Sequence, residues 1–313
     1  MFGKIALFEL RYQLRNPVFW VATVIFFLLT YGAMASDNIT IGGGGNVNLN
    51  SPVAIVNTHL VMTLFFMFVT TAFVANVIVR DEESGFGPLI RSTQVSKFSY
   101  LIGRFAGAFI AAAIGFLVVP LGIWLGSLMP WLDPETIGAN RFSYYAVAYF
   151  VFALPAVFLV SALFFAVATM TRSMMYTYVA VVLFLVLYIV LQSVVGTQPE
   201  YRTLASYFEP FGIAAFANAT RYWTAAESNT MIPALGGVLL VNRAIWIGFS
   251  LLMLALAFWR FRFASKAISA RKARKVAKKE AKLARTEPTL VDSLPEPTPD
   301  KAGWARFWAR TRF

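Results

Sequence analysis

The sequence predicts an all-α integral membrane protein: six transmembrane helices behind a short amphipathic helix at the N-terminus. Three observations carry this. Of 313 residues, 58% are hydrophobic and 13% charged, about half the charged share of a water-soluble domain. Six apolar runs approach or exceed the ~20 residues that cross a hydrocarbon core as helix. Between these runs the chain is punctuated by Asn-Pro, Gly-rich and charged stretches, which end apolar helices.

The elements follow in order. Lys4 to Arg15 interleaves Ile5, Phe8, Leu10, Tyr12 and Leu14 with Glu9, Arg11 and Arg15, a pattern suited to lying in the headgroup layer. Asn16-Pro17 turns the chain into a first span at about 17–36, expected to be retained because no small-residue cleavage pattern follows a short apolar core. Further spans are expected at 53–79, 102–129, 143–170, 174–195 and 241–260. The loop 37–52, with four glycines at 42–45, reads as a flexible connection, since no strand precedes the glycines and no Lys-Ser or Lys-Thr follows to make a phosphate cradle. The loop 196–240 carries Tyr207, Phe208, Phe211, Phe216, Tyr222 and Trp223 and is expected to form short interfacial helices.

After Trp259 come a basic, helical extension over 263–285, a Pro- and acid-bearing linker over 286–301, and a segment at 302–313 whose basic-aromatic character resembles the opening helix. That last feature reads as the start of a second such helix in a longer chain. Lys and Arg gather in cytoplasmic segments. The stretches 1–16, 80–104, 172 and 260–313 hold 23 of the 27, against Arg141, Arg202, Arg221 and Arg243 on the other side. Both termini are therefore expected in the cytoplasm.

Composition also removes function classes. The net charge of +12 does not indicate nucleic acid, because no soluble domain offers a basic surface with base-reading elements. With no Cys there is no thiolate nucleophile, disulfide or thiolate metal site. His59 is the sole histidine, and no HExxH, GxSxG or P-loop sequence occurs, so neither zinc peptidase chemistry nor ATP binding belongs to this chain. No cofactor or metal is expected on it.

The informative segment is VRDEESGFGPLIRSTQVSKFSYLIGRFAGAF after the second span. Arg80, Asp81, Glu82 and Glu83 cluster before Gly85, and a short apolar stretch through Leu89 reaches Thr93. One reading is an ordinary solvated loop. The other is a short cytosolic helix with clustered charge that docks on a partner and passes motion to the flanking spans.

The order amphipathic helix, span, outer loop, span, acidic-Gly loop, four spans resembles the ABC-2 class of exporter permeases over residues 1–262. In that class the loop carries an acidic pair, Gly, an apolar stretch and Thr-Pro-Val-Ser; here Glu82, Glu83, Gly85, Leu89, Thr93, Val95 and Ser96 correspond, with Gln94 in place of Pro. The resemblance implies that this loop is a coupling helix against an ABC nucleotide-binding ATPase holding ATP and Mg, and that Lys4–Arg15, with Phe8, Arg11 and Arg15, is an elbow helix. It implies a second permease protomer or fused half, in a bacterial inner membrane. The stretches RNPVFW, FFMFVTTAFVAN, GSLMPWLDPETIG, EPFGIAAFANATRYWTAAESNT and VNR are similar to bacterial permeases fused to a gluzincin aminopeptidase, whose zinc motif would lie beyond Phe313.

Polar positions on the second and fifth spans, among them Thr58, His59, Thr63, Thr70, Tyr178 and Gln192, line the route in that picture. Helix-packing roles explain them equally. The apolar remainder suits an amphipathic, lipidic or peptide-like cargo. A membrane anchor for a peptidase is the alternative. A secondary transporter is disfavoured, since no Asp, Glu or Lys falls inside the expected spans.

Overall fold

The computed structural model describes residues 1–36, 45–84 and 95–261. Within them the chain is helical and strand-free, and six helical segments are long and apolar enough to cross a membrane: Pro17–Ala35, Pro52–Asp81, Lys97–Gly126, Phe142–Thr171, Met174–Val195 and Gly237–Arg260. The expected coupling residues Gly85, Leu89 and Thr93, the glycines 42–44 and everything after Phe261 lie outside the described residues.

Helix α1 (Phe2–Arg15) meets α2 (Pro17–Ala35) at a corner built from its own sequence. Asn16 accepts a hydrogen bond from Val18 N at 3.0 Å and Pro17 occupies the first helical position, where its missing N–H costs nothing. Trp20 Nε1 closes the corner by donating to Leu14 O at 2.9 Å.

Helix α3 (Pro52–Glu83) runs about three turns beyond a minimal span of ~20 residues. The third span is two helices, α4 (Lys97–Phe116) and α5 (Val118–Gly126), joined at Leu117. There Leu117 N closes on Ile114 O, three residues back, and Pro120 sits in the first turn of α5, where a missing donor is tolerated. The carbonyl of Ala113 receives the hydroxyl of Tyr149 at 2.7 Å. Tyr149 belongs to a π-helical segment, Ala148–Ala153, between α6 (Phe142–Val147) and α7 (Leu154–Thr171). Two departures from α-geometry thus brace one another.

Arg172, in the left-handed conformation (φ 50°), turns the chain directly from α7 into α8 (Met174–Thr197). The long loop between the fifth and sixth spans folds as expected into short helices, α9 (Arg202–Phe208), α10 (Ile213–Ala219) and α11 (Ala225–Thr230), before α12 (Gly237–Arg260). Thr224 and Glu227 cap α11 reciprocally.

Helices α3 and α7 contribute to all three apolar clusters and form the centre. The windows of the second and fourth spans are each 61% buried, whereas that of the fifth span, α8, is 11% buried; α8 is a peripheral helix with most of its surface facing outward. Small residues let α4 carry α1: a Cβ on Gly107 would run into Ala6 O and the Glu9 side chain, and one on Gly103 would press on Ile5. This is the close-approach logic of a small-xxx-small face.

Two boundaries differ from the sequence expectation: the third span starts at Lys97 rather than 102, its first turn holding Lys97 and Ser99, and the sixth at Gly237 rather than 241, taking in Val238, Leu239 and Leu240 ahead of Asn242 and Arg243.

Candidate functional site

The polar residues of α1 point the opposite way from what an isolated interfacial helix requires. Its buried residues are Glu9, 0% exposed, and Gln13, 1% exposed, while Phe8 and Tyr12 are exposed. Burying a carboxylate costs several kcal/mol unless it is paired and hydrogen-bonded. Glu9 meets both conditions. Arg80 Nη2 donates to Glu9 Oε2 at 2.9 Å, Arg104 Nη1 donates to the same oxygen, and Gln13 Nε2 donates to Oε1 at 2.9 Å. Gln13 also donates to Phe73 O on α3 at 3.2 Å.

Arg104 is the hub. Its Nη2 donates to Asp81 Oδ2 at 2.7 Å and Oδ1 at 3.0 Å, while its Nη1 serves Glu9. Asp81, 6% exposed, also accepts from Tyr100 OH at 2.7 Å. The guanidinium of Arg80 lies 3.8 Å above the ring of Tyr12, a cation–π contact. Two acids and two bases cancel, so the cluster is neutral. It joins α1, the last turns of α3 and the first turns of α4, the helices on either side of the 84–96 connection.

This corrects two expectations. Arg80 and Asp81 continue α3 and their side chains turn inward to Glu9 and Arg104, so they are not the exposed charges of a separate docking helix. The backbone of Glu82 and Glu83 completes α3. The spans are also not free of carboxylates, since Asp81 closes the second. The physical reason is the same in both cases: a basic partner on a helix far off in sequence makes a buried carboxylate tolerable, and local sequence does not display the partner.

A second lock lies in the segment 206–212 and α12. Asn242 Nδ2 donates to the carbonyls of Ser206, Tyr207 and Glu209 at 3.2, 3.0 and 2.9 Å, and its Oδ1 accepts from Arg243 Nε and Nη2. Arg243 packs against Gly212, whose φ of +90° and lack of a Cβ make room for the guanidinium. Glu209 accepts from Phe211 N and Ala214 N at 2.9 and 3.3 Å. Burial pushes its carboxyl above the usual range, against the pull of those N–H groups and of Arg243. Arg243, counted with the cations of the far side and inside the expected sixth span, is 4% exposed near the start of that span.

The polar residues expected along a route are mostly spent within their own helices. Thr58 donates to Ala54 O, Thr63 to Leu60 O and Thr71 to Met67 O. His59 Nδ1 lies 2.7 Å from Ile55 O; a carbonyl only accepts, so Nδ1 holds the proton and Nε2 is a bare acceptor, enclosed and without a partner among the described residues. Thr70 Oγ1 is likewise enclosed. Gln192 contacts Tyr188 OH at 3.3 Å, and Tyr178 is 40% exposed. Of the expected α1 residues, Phe8, Arg11 and Arg15 all lie on its exposed face. Among the described residues no group of three or more His, Asp or Glu side chains is placed to hold a metal.

Six helices long and apolar enough to cross a membrane, preceded by an amphipathic helix seated by buried charge, define a multi-span membrane protein. The model of the ABC-2 family transporter protein matches residues 4–265, most of the chain, and the chain belongs to that family, whose members are membrane components of ABC transporters. No curated protein matches it.

Proposed function

We propose that this chain is the permease subunit of an ATP-driven exporter in a bacterial inner membrane, with both termini cytoplasmic. A separate ABC ATPase supplies ATP and Mg, and a second permease protomer or half completes the route for an amphipathic, lipidic or peptide-like cargo. The observation that carries the reading is the Glu9–Arg80–Asp81–Arg104 cluster. It fastens both ends of the 84–96 connection to each other and to α1, so that force on this connection moves three helices as one body. A membrane anchor has no use for such a linkage.

In this reading the inward-facing Arg80 and Asp81 set the base of the coupling segment, and Glu82, Glu83, Gly85, Leu89 and Thr93 make the docking contact. The stretches shared with peptidase-fused permeases support a narrower reading, that the natural protein carries a gluzincin domain. Several of their residues, including Trp20, Glu209, Gly212, Asn242 and Arg243, serve the corner and the outer lock described above.

The test is purification from native membrane in mild detergent, with mass spectrometry of the intact chain and of what accompanies it. A stoichiometric ATPase with a P-loop is expected, reduced at least tenfold by Glu82→Lys with Glu83→Lys. Co-purification of a peptidase without any ATPase would sink the exporter reading in favour of the anchor.

A further inference from the structure

The outward face of α1 is a single stripe: Lys4, Leu7, Phe8, Arg11, Tyr12 and Arg15 follow one another at the three- and four-residue steps that share a helix face. With the corner at Asn16 and Pro17 they line an open groove of about 770 Å³, the size of a ligand pocket. Its charge is of one sign. The sole acid in residues 1–36 is Glu9, which is buried on the opposite face and saturated by Arg80, Arg104 and Gln13. Asp81 is held by Arg104 and Tyr100. Lys4, Arg11 and Arg15 therefore face outward with no carboxylate partner among the described residues.

The remaining surface is apolar. Leu7 and Phe8 are 45% and 57% exposed, and the groove opens toward α2, whose window is 22% buried and whose Val18, Val21, Val24 and Ile25 face outward. Cations at one level with an apolar wall leading away along a span match one molecule: an amphiphile with an anionic head and a hydrocarbon tail.

We propose that this groove is a binding site for an anionic phospholipid, its phosphate among Lys4, Arg11 and Arg15 and one acyl chain along Leu7, Phe8 and the exposed face of α2. Charge complementarity selects the occupant. The inference needs only that the six spans lie in a bilayer and is independent of the ATPase. Each basic residue near a membrane surface contributes about 1 kcal/mol toward anionic lipid, about fivefold, so three give a preference on the order of a hundredfold.

The experiment uses the full chain, delipidated in detergent and titrated with phosphatidylglycerol or phosphatidylcholine, with bound lipids counted by native mass spectrometry. Wild type is expected to prefer phosphatidylglycerol by about a hundredfold, falling by about fivefold in Arg11→Gln and vanishing in the triple variant K4Q/R11Q/R15Q. Arg221→Gln, an exposed cation elsewhere, is expected to keep the full preference. These cations are exposed, so folding is not at stake, and unchanged circular dichroism checks that. Equal retention of the two lipids by wild type, or unchanged preference in the triple variant, would overturn the proposal. Displacement of the lipid by glycerol phosphate at equal concentration would overturn it in favour of a free-anion site. Loss of an ATPase partner from the triple variant with lipid retention intact would reassign the face to protein docking.

Discussion

Arg104 is the side chain whose removal separates a structural cluster from a decorative one. Arg104→Met deletes one hydrogen bond to Glu9 and two to Asp81 while leaving a linear side chain to fill the space. Removing one partner of a buried ion pair costs about 3–5 kcal/mol, because the survivor stays desolvated. Glu9 keeps Arg80 at 2.9 Å and Asp81 keeps Tyr100 at 2.7 Å, which places the loss near the lower end, about 3 kcal/mol. The assay is reversible unfolding of the purified chain by SDS in mixed micelles, followed by circular dichroism. A double-mutant cycle with Glu9→Gln isolates the pair: with the carboxylate gone, Arg104→Met is expected to cost at least 1 kcal/mol less. Arg104→Lys is expected to recover only part of the loss, since one ammonium cannot serve two carboxylates as the guanidinium fork does. A loss under about 1 kcal/mol with no coupling, the behaviour of a surface pair, would refute the argument that this cluster seats α1.

Other outcomes follow from the same structure. Gly107→Leu is expected to lift α1 from α4 and expose Glu9, read as faster amide exchange in residues 2–15, whereas Gly3→Leu, with open space around it, leaves exchange unchanged. Asn242→Leu removes three bonds to carbonyls at about 1 kcal/mol each, and a loss of about 3 kcal/mol in the SDS assay is expected. Gly212→Ala places a Cβ at φ +90° against Arg243, and a loss above about 1 kcal/mol is expected from backbone strain alone. Glu209 is held above its ordinary value of 4.5 by burial, so the folded state binds its proton more tightly than the unfolded chain. Its contribution is complete below about pH 4.5 and fades as pH rises through the folded value. The stability of Glu209→Gln relative to wild type is therefore expected to rise between pH 4 and pH 7.

The spans were legible because lipid imposes a simple rule, some twenty apolar residues in a row, and composition displays it. The amphipathic character of α1 was legible too, but not its sense. Phe8, Leu10 and Tyr12 look like a face to bury, yet Glu9 and Gln13 are the buried pair, because their partners sit on α3 and α4. The same blindness hid the pairing of Asp81, which read as a loop charge, with Arg104, which stood inside the expected third span. Asn242 and Arg243 stood in a quoted stretch without a role; an Asn-Arg pair entering an apolar run opposite a Glu-Pro-Phe-Gly turn was the available signal. The π segment at Ala148–Ala153 was not foreseen, although Pro155, which cannot donate a backbone hydrogen bond into the helix, follows it closely.

The seat of Glu9 also imposes an order in time. Its two arginine partners lie 71 and 95 residues further along the chain, so during synthesis α1 exists long before anything can neutralise its carboxylate. Until Arg104 and the Gly103–Gly107 face of α4 have emerged, Glu9 has Arg80 alone of its two arginines and α1 has no helix face to seat on. The completion of the third span is then the event that draws α1 into place, so a chain halted short of residue 104 would carry an N-terminal helix open to proteases and one halted beyond it would not.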